Sequence, residues 1–195
     1  MTDASQVAAH AAADSTDSLS CTRDPAELAA WLRLTETPGV GPVAARQLLA
    51  AFGLPQDIFA QSYAALAKVL PARQARALLA EPDDALAALI ERTVAWANEP
   101  GNAIFTLADR GYPPRLLELP DPPTLLYTKG DVSLLRAAAV GVVGARSATA
   151  AGIDNARAFA QALSAASVTV VSGLALGIDA AAHEGALAGP GSTIA

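Results

Sequence analysis

Residues Val140–Gly152 read VGVVGARSATAAG, and residues Val168–His183 read VTVVSGLALGIDAAAH. Each starts as a short uncharged run rich in β-branched residues, passes through small residues and continues into an alanine-rich stretch of helical periodicity. That is the pattern of a buried strand, a tight loop and a helix, and its repetition predicts parallel βα units of an α/β domain. The first strand is expected over Val140–Gly144, where the absence of any polar residue fits a strand covered on both faces. Its helix places Ile153, Ala156, Ala160 and Leu163 on one side. The second strand is expected over Val168–Ser172 and its helix over about Ile178–Ala188. After the turn Gly189-Pro190-Gly191, residues Ser192–Ala195 read as the opening of a third strand. A doubly wound sheet stopped there has an open edge and a half-covered core, so the expectation is a piece of a longer protein.

Two such loops at the carboxyl ends of neighbouring parallel strands form a cradle of backbone N–H groups suited to phosphate. The first supplies Gly144, Ala145, Arg146, Ser147 and Thr149, with the Arg146 guanidinium able to grip phosphate in bidentate fashion. The second supplies Ser172, Gly173, Leu174, Ala175 and Gly177. The spacing Gly141-x-x-Gly144, with the next glycine at Gly152, is not the G-x-G-x-x-G fingerprint of dinucleotide sites, and no G-K-[ST] follows as in a P-loop. No cofactor and no metal are therefore expected. Asp179 and His183 lie four apart on one helix face. They read either as an acid/base pair or as a helix cap beside a packing histidine. The lack of a nucleophile at a sensible spacing favours the second reading and a chain that is not an enzyme.

The rest of the chain is organised differently. Met1–Asp24 is rich in Ala, Ser, Thr and Asp without periodicity and is expected as a disordered tail, residues 1–24. It sets Arg23 against Asp3, Asp14, Asp17 and Asp24, half of the chain's net charge of −6. Asp24-Pro25 supplies a helix cap and a first-turn proline, after which Leu28, Trp31, Leu32 and Leu34 form an apolar stripe. Breaks at Pro38-Gly39, Gly53-Leu54-Pro55, Pro71 and Pro82 separate further helices at about Val43–Phe52, Tyr63–Leu70, Arg73–Ala80 and Asp84–Ala97. A small all-α domain over 25–100 follows. Within it Leu34–Leu49, LTETPGVGPVAARQLL, has the helix–hairpin–helix pattern hxxxPGhGxxxAxxhh. Gly39 and Gly41 in the turn, with Arg46 beside them, either hold a DNA phosphate or only pack two helices. Glu99-Pro100-Gly101-Asn102 is a turn cluster and marks the boundary. Short strands Ala103–Leu107 and Thr124–Tyr127 come next. They flank Tyr112–Pro123, YPPRLLELPDPP, whose prolines argue against regular structure.

Composition narrows the classes further. Hydrophobic residues make up 52% of the 195 and charged residues only 16%, which supports a real core. No apolar run reaches the roughly 18 residues needed to span a bilayer, and the N-terminus lacks the basic and hydrophobic regions of a secretory signal. The single cysteine, Cys21, cannot form an internal disulfide, which fits a reducing, cytoplasmic setting. A net negative charge argues against indiscriminate polyanion binding, so any nucleic-acid role must rest on a local patch.

One string is specific. Tyr112-Pro113, Asp121-Pro122-Pro123, Leu126-Tyr127-x-x-Gly130, Val143-Gly144-Ala145-Arg146 and Ser172-Gly173-Leu174-Ala175-x-Gly177-Ile178-Asp179-x-x-Ala182-His183 occur in this order. Together they resemble the DprA/Smf family of DNA-processing proteins, over about Pro25 to Ala195. The resemblance implies a Rossmann-like, mostly parallel sheet over 101–195, incomplete at its C-terminus, behind a helix-hairpin-helix/SAM-like all-α domain. It implies a non-enzymatic, single-stranded-DNA-binding recombination mediator that loads RecA in DNA uptake and natural transformation, and that dimerises through the Rossmann-like domain. Carried over, Gly144, Ala145 and Arg146 match the family's G-S-R motif. Ser172, Gly173, Leu174, Ala175, Gly177 and Asp179 match its second loop. Ala145 stands where serine is commoner, and Ser147 and Leu176 stand where many members carry a base. That departure implies modest affinity and a shallow salt dependence. The alternative is a nucleotide-monophosphate N-glycosidase of similar fold, which needs a P-G-G-x-G-T-type loop that does not occur by Ala195.

Overall fold

A computed structural model of the chain describes residues 24–195; apart from Asp24, the expected tail lies outside them. Two compact units are present, one ending at Gly130 and the other running from Asp131 to Ala195.

The first unit opens with α1 (Pro25–Glu36), whose N-terminus is capped by the Asp24 carboxylate accepting from Ala26 N–H at 3.0 Å. It continues with α2 (Pro42–Phe52), α3 (Pro55–Phe59), α4 (Tyr63–Leu66), α5 (Ala72–Leu78) and α6 (Asp84–Ala97). Trp31, Leu34, Leu48, Ile58, Leu66 and Leu78 form the fully buried centre of this bundle, each worth about 1.5–3 kcal/mol of transfer free energy. Arg33 braces it from the side. Its guanidinium lies 4.1 Å from the Phe59 ring centroid and donates to the Leu78 and Ala80 carbonyls at 3.2 and 3.0 Å. The helix α3 was not anticipated. Pro55, read as a break, sits in the first turn, where a missing N–H costs nothing.

Strands β1 (Asn102–Thr106) and β2 (Leu125–Lys129) pair antiparallel from Asn102↔Lys129 to Thr106↔Leu125. Ile104 joins Leu28 and Leu32 in a second small core, against Ile90, Val94 and Leu125. The ribbon thus packs with the helices, inside the compact unit that ends at Gly130. The proline-rich connection is also more ordered than expected. Pro114–Glu118 is a 3-10 helix with proline in its first turn. The buried Tyr112 hydroxyl donates to the Pro123 carbonyl at 2.8 Å, closing the segment on itself. Burial pushes the Tyr112 phenol up from its usual range.

The second unit begins with a 3-10 turn, Val132–Arg136, and then alternates β3 (Ala139–Gly141), α7 (Ala150–Ala165), β4 (Thr169–Val171), α8 (Ile178–Ala186) and β5 (Thr193–Ile194). The sheet is parallel in the order β3-β4-β5, as the α/β reading requires. Ala160, Val170, Ala182 and Ala186 form its core. The buried Ser164 hydroxyl donates to the Ala186 carbonyl at 2.6 Å and accepts from Ser192 N–H at 3.1 Å, fixing α7, α8 and the entry to β5 together.

One expectation fails here. β3 is shorter than Val140–Gly144 and is not covered on both faces: Val140 is 42% and Val143 78% exposed. The reason is position. β3 is an edge of this sheet, and beyond Val142, whose N–H reaches the Val171 carbonyl at 2.9 Å, the chain leaves the ladder for the loop.

Candidate nucleic-acid interface

β3 and β4 run parallel, so both deliver their following loops to the same end of the sheet. The first loop, 142–149, ends where Thr149 caps α7, its hydroxyl accepting from Gly152 N–H at 3.1 Å. The second, 172–177, leads into α8. The Ser172 hydroxyl donates to the Val142 carbonyl at 2.8 Å and ties the two strand ends.

The loops interlock through two glycines. At Gly177, φ is +79° and a Cβ would stand 2.3 and 2.4 Å from the Ala145 and Arg146 carbonyl oxygens. At Gly144, a Cβ would lie 2.6–2.9 Å from the Ile178 side chain. Ile178 N–H completes the contact by donating to the Ala145 carbonyl at 3.3 Å. Loop 1 therefore rests its carbonyls on the start of α8.

The carboxylate of Asp179, buried in the first turn of α8, turns back to loop 2. One oxygen accepts from Gly173 N–H at 3.1 Å and from Ala175 N–H at 3.4 Å. Leu174 between them adopts the left-handed conformation, φ +55°, with its side chain 73% exposed. Asp179 thus caps a loop rather than its helix, whose N-cap is Gly177. Gly173 and Ala175 spend their N–H groups inside the protein, and the carboxylate puts negative charge at this side of the cradle.

Loop 1 has no such carboxylate. Among the described residues, the N–H groups of Gly144, Ala145, Arg146 and Ser147 have no acceptor, and all four residues are exposed. The Arg146 guanidinium is likewise without a partner among the described residues. Arg157, by contrast, is held by Glu184 at 2.7 and 3.2 Å and by Asp154 at 3.5 Å. The Glu184 hydrogen bond and charge raise its pKa further.

The acid/base reading of Asp179 and His183 does not hold, because the two side chains face different partners. The Thr193 hydroxyl spends its proton on the Val170 carbonyl at 2.8 Å, so His183 Nδ1, 2.8 Å from that oxygen, carries the hydrogen. His183 is a buried packing residue that joins α8 to β5. Among the described residues no group of His, Cys, Asp and Glu could hold a metal, and no helix is long and apolar enough to cross a membrane.

The hairpin turn in the first unit is built as its pattern suggests. Gly39 has φ +83°, Val40 is buried, and α2 begins at Pro42 after the exposed Gly41. Gln74 Nε2 on α5 donates to the Gly39 carbonyl at 2.6 Å. Arg46 is engaged elsewhere, its guanidinium donating to the Pro120 carbonyl.

The family profile described as DNA recombination-mediator protein A matches residues 103–195, which contain both loops. The Smf protein of Synechocystis sp. is 33% identical over 185 residues, 87% of this chain and 43% of that protein. The chain belongs to the DprA/Smf family. The DNA processing protein DprA of Streptococcus pneumoniae is 44% identical over 91 residues, 47% of this chain and 32% of that protein. The X-ray structure of the DprA protein from that species superposes with a TM-score of 0.64 at 30% identity, covering 84% of this chain and 54% of the other. The chain spans less than half the length of these curated relatives. The profile match begins at Ala103 and so takes in β2 and nearly all of β1, which pack with the helices.

What sequence reading missed is the division of labour between the loops. The Asp179 bonds to Gly173 and Ala175 join residues six and four apart across a loop without periodicity. The signal that was available is chemical: an acid two residues after the last loop glycine, next to N–H groups that need an acceptor.

Proposed function

We propose that the chain is the DNA-binding part of a recombination mediator. It binds single-stranded DNA by its sugar–phosphate backbone, performs no covalent chemistry, and passes the strand to RecA as a homodimer in the cytoplasm. The domain from residue 101 onward is the family's Rossmann-like module, and the helical domain over 25–100 is its accessory. The observation that carries this reading is the unpaired, exposed Arg146 beside the open N–H groups of Gly144–Ser147, in a DprA/Smf chain. Ser147 stands beside them, and Thr149, Ser172, Gly173, Leu174, Ala175, Gly177 and Asp179 hold the loops in shape. A cradle of one guanidinium and backbone amides contacts phosphate and carries no base information, so binding is independent of sequence.

The test is a titration of labelled single strands of mixed sequence with wild type and Arg146→Ala at two salt concentrations. The variant is expected to bind every sequence more weakly and to lower the magnitude of the log–log salt slope by about 0.7, the single-strand value per phosphate contact. Equal affinity and equal slope for the two proteins would sink the assignment.

A further inference from the structure

Residues 58–80, from the end of α3 through α5, contain Lys68, Arg73 and Arg76 and no acid, in a chain of net charge −6. All three side chains are exposed, and among the described residues none has an ion-pair or hydrogen-bond partner. Arg73 and Arg76 stand three residues apart on α5 and so share a face. The Arg76 guanidinium lies 5.9 Å from the ring centroid of Tyr63 on α4, itself exposed, and this contact holds one cation in place. Gln74, between the two arginines, holds α5 to the hairpin turn through the Gly39 carbonyl. Gly41 in that turn is exposed, with nothing within 4 Å of where a side chain would stand.

Like charges one turn apart on a short helix repel each other, and no acid within residues 58–80 offsets them. Together with an open backbone turn and an exposed ring, these are the groups that contact nucleic-acid backbones. Arg46, the base that the hairpin pattern itself supplies, is tied to Pro120. Lys68, Arg73 and Arg76 have no such tie among the described residues.

We propose that Lys68, Arg73 and Arg76, with Tyr63 and the Gly39–Gly41 turn, form a second contact surface for the sugar–phosphate backbone of a nucleic acid. It is carried by the helical unit and does not depend on the Arg146 assignment.

The test uses the full 195-residue chain. Lys68→Gln, Arg73→Gln and Arg76→Gln are combined and compared with wild type, with Arg146→Ala, and with an Arg73→Lys, Arg76→Lys control. Each is titrated with a labelled single strand and with the duplex of the same sequence between about 50 and 200 mM salt. Removing three contacts makes the slope shallower by about 2.7 on duplex or about 2 on single strand, and the larger loss identifies the form bound. The lysine control keeps the charge and the slope. Unfolding curves check that the triple variant folds; if it does not, the Lys68→Gln and Arg73→Gln single variants are read, at a slope change of about 0.7–0.9 each. Unchanged affinity and slope on both nucleic acids overturn the proposal, including the case in which the surface serves an acidic protein. Since Arg146→Ala is read in parallel, loss in one variant and not the other tells which of the two surfaces fails.

Discussion

The two loops at the end of the parallel sheet are alike in sequence and differ in what holds them in place. Loop 2 ties Ser172 to Val142 and Gly173 and Ala175 to Asp179, and among the described residues only Leu174, Leu176 and Gly177 keep N–H groups without an acceptor there. Loop 1 lays its carbonyls on Gly177 and Ile178 and leaves its N–H groups and Arg146 outward. Loop 2 with the start of α8 is the buttress, and loop 1 is the surface that keeps Arg146 and four consecutive N–H groups outward. Glycine and serine after a strand therefore do not by themselves distinguish the two.

Breaking the buttress should cost stability, whereas breaking the surface should cost binding. The largest effect is expected from Gly177→Ala. Its Cβ would lie 2.3 Å from the Ala145 carbonyl oxygen at a φ of +79°, so strain and clash together should remove about 3 kcal/mol or more in urea unfolding, with DNA binding lost at the same time. Asp179→Asn comes next. Replacing a charged acceptor of two N–H bonds by a neutral amide should lower stability by about 1.5–3 kcal/mol at neutral pH. A wild-type melting temperature for Asp179→Asn would mean that loop 2 does not depend on its carboxylate. Ser172→Ala removes one hydroxyl and leaves the Val142 carbonyl without that donor, an expected loss of about 1 kcal/mol. Arg146→Ala should be the mildest for folding, within about 0.5 kcal/mol of wild type, while carrying the binding defect described above. A stability loss at Arg146 as large as at Asp179 would erase the contrast between the loops.

Much of the fold was legible because it follows from periodicity. The βα alternation, the face formed by Ala156 and Ala160, and the stripe Leu28–Leu34 are statements about spacing, and spacing survives folding. Three things were not legible. Pro55 carries the same signal whether it ends a helix or starts one. The apolar run Val140–Gly144 does not say how much of it pairs, since that depends on which strand lies alongside. The fate of individual N–H groups in the loops depends on hydrogen bonds between non-periodic residues. Spacing therefore places both loops at one end of the sheet, but it does not say which of their N–H groups are used inside the protein and which are left open. The cations of α4–α5 escaped for a different reason. Glycines and Arg46 mark the hairpin as a motif, whereas these cations are marked only by a stretch empty of acids.

The strand order β3-β4-β5 also has a kinetic meaning. Each strand pairs with the next one in the chain, separated by a single helix, so the contacts of this unit are local and the entropy of loop closure is spent in small steps. The side-chain bonds between the loops run from Val142 to Asp179, and β5 adds the Ile194 carbonyl as acceptor for Ser172 N–H at 3.0 Å. During synthesis, β3, α7 and β4 can pair before β5 has left the ribosome, and β5 then fixes the start of loop 2.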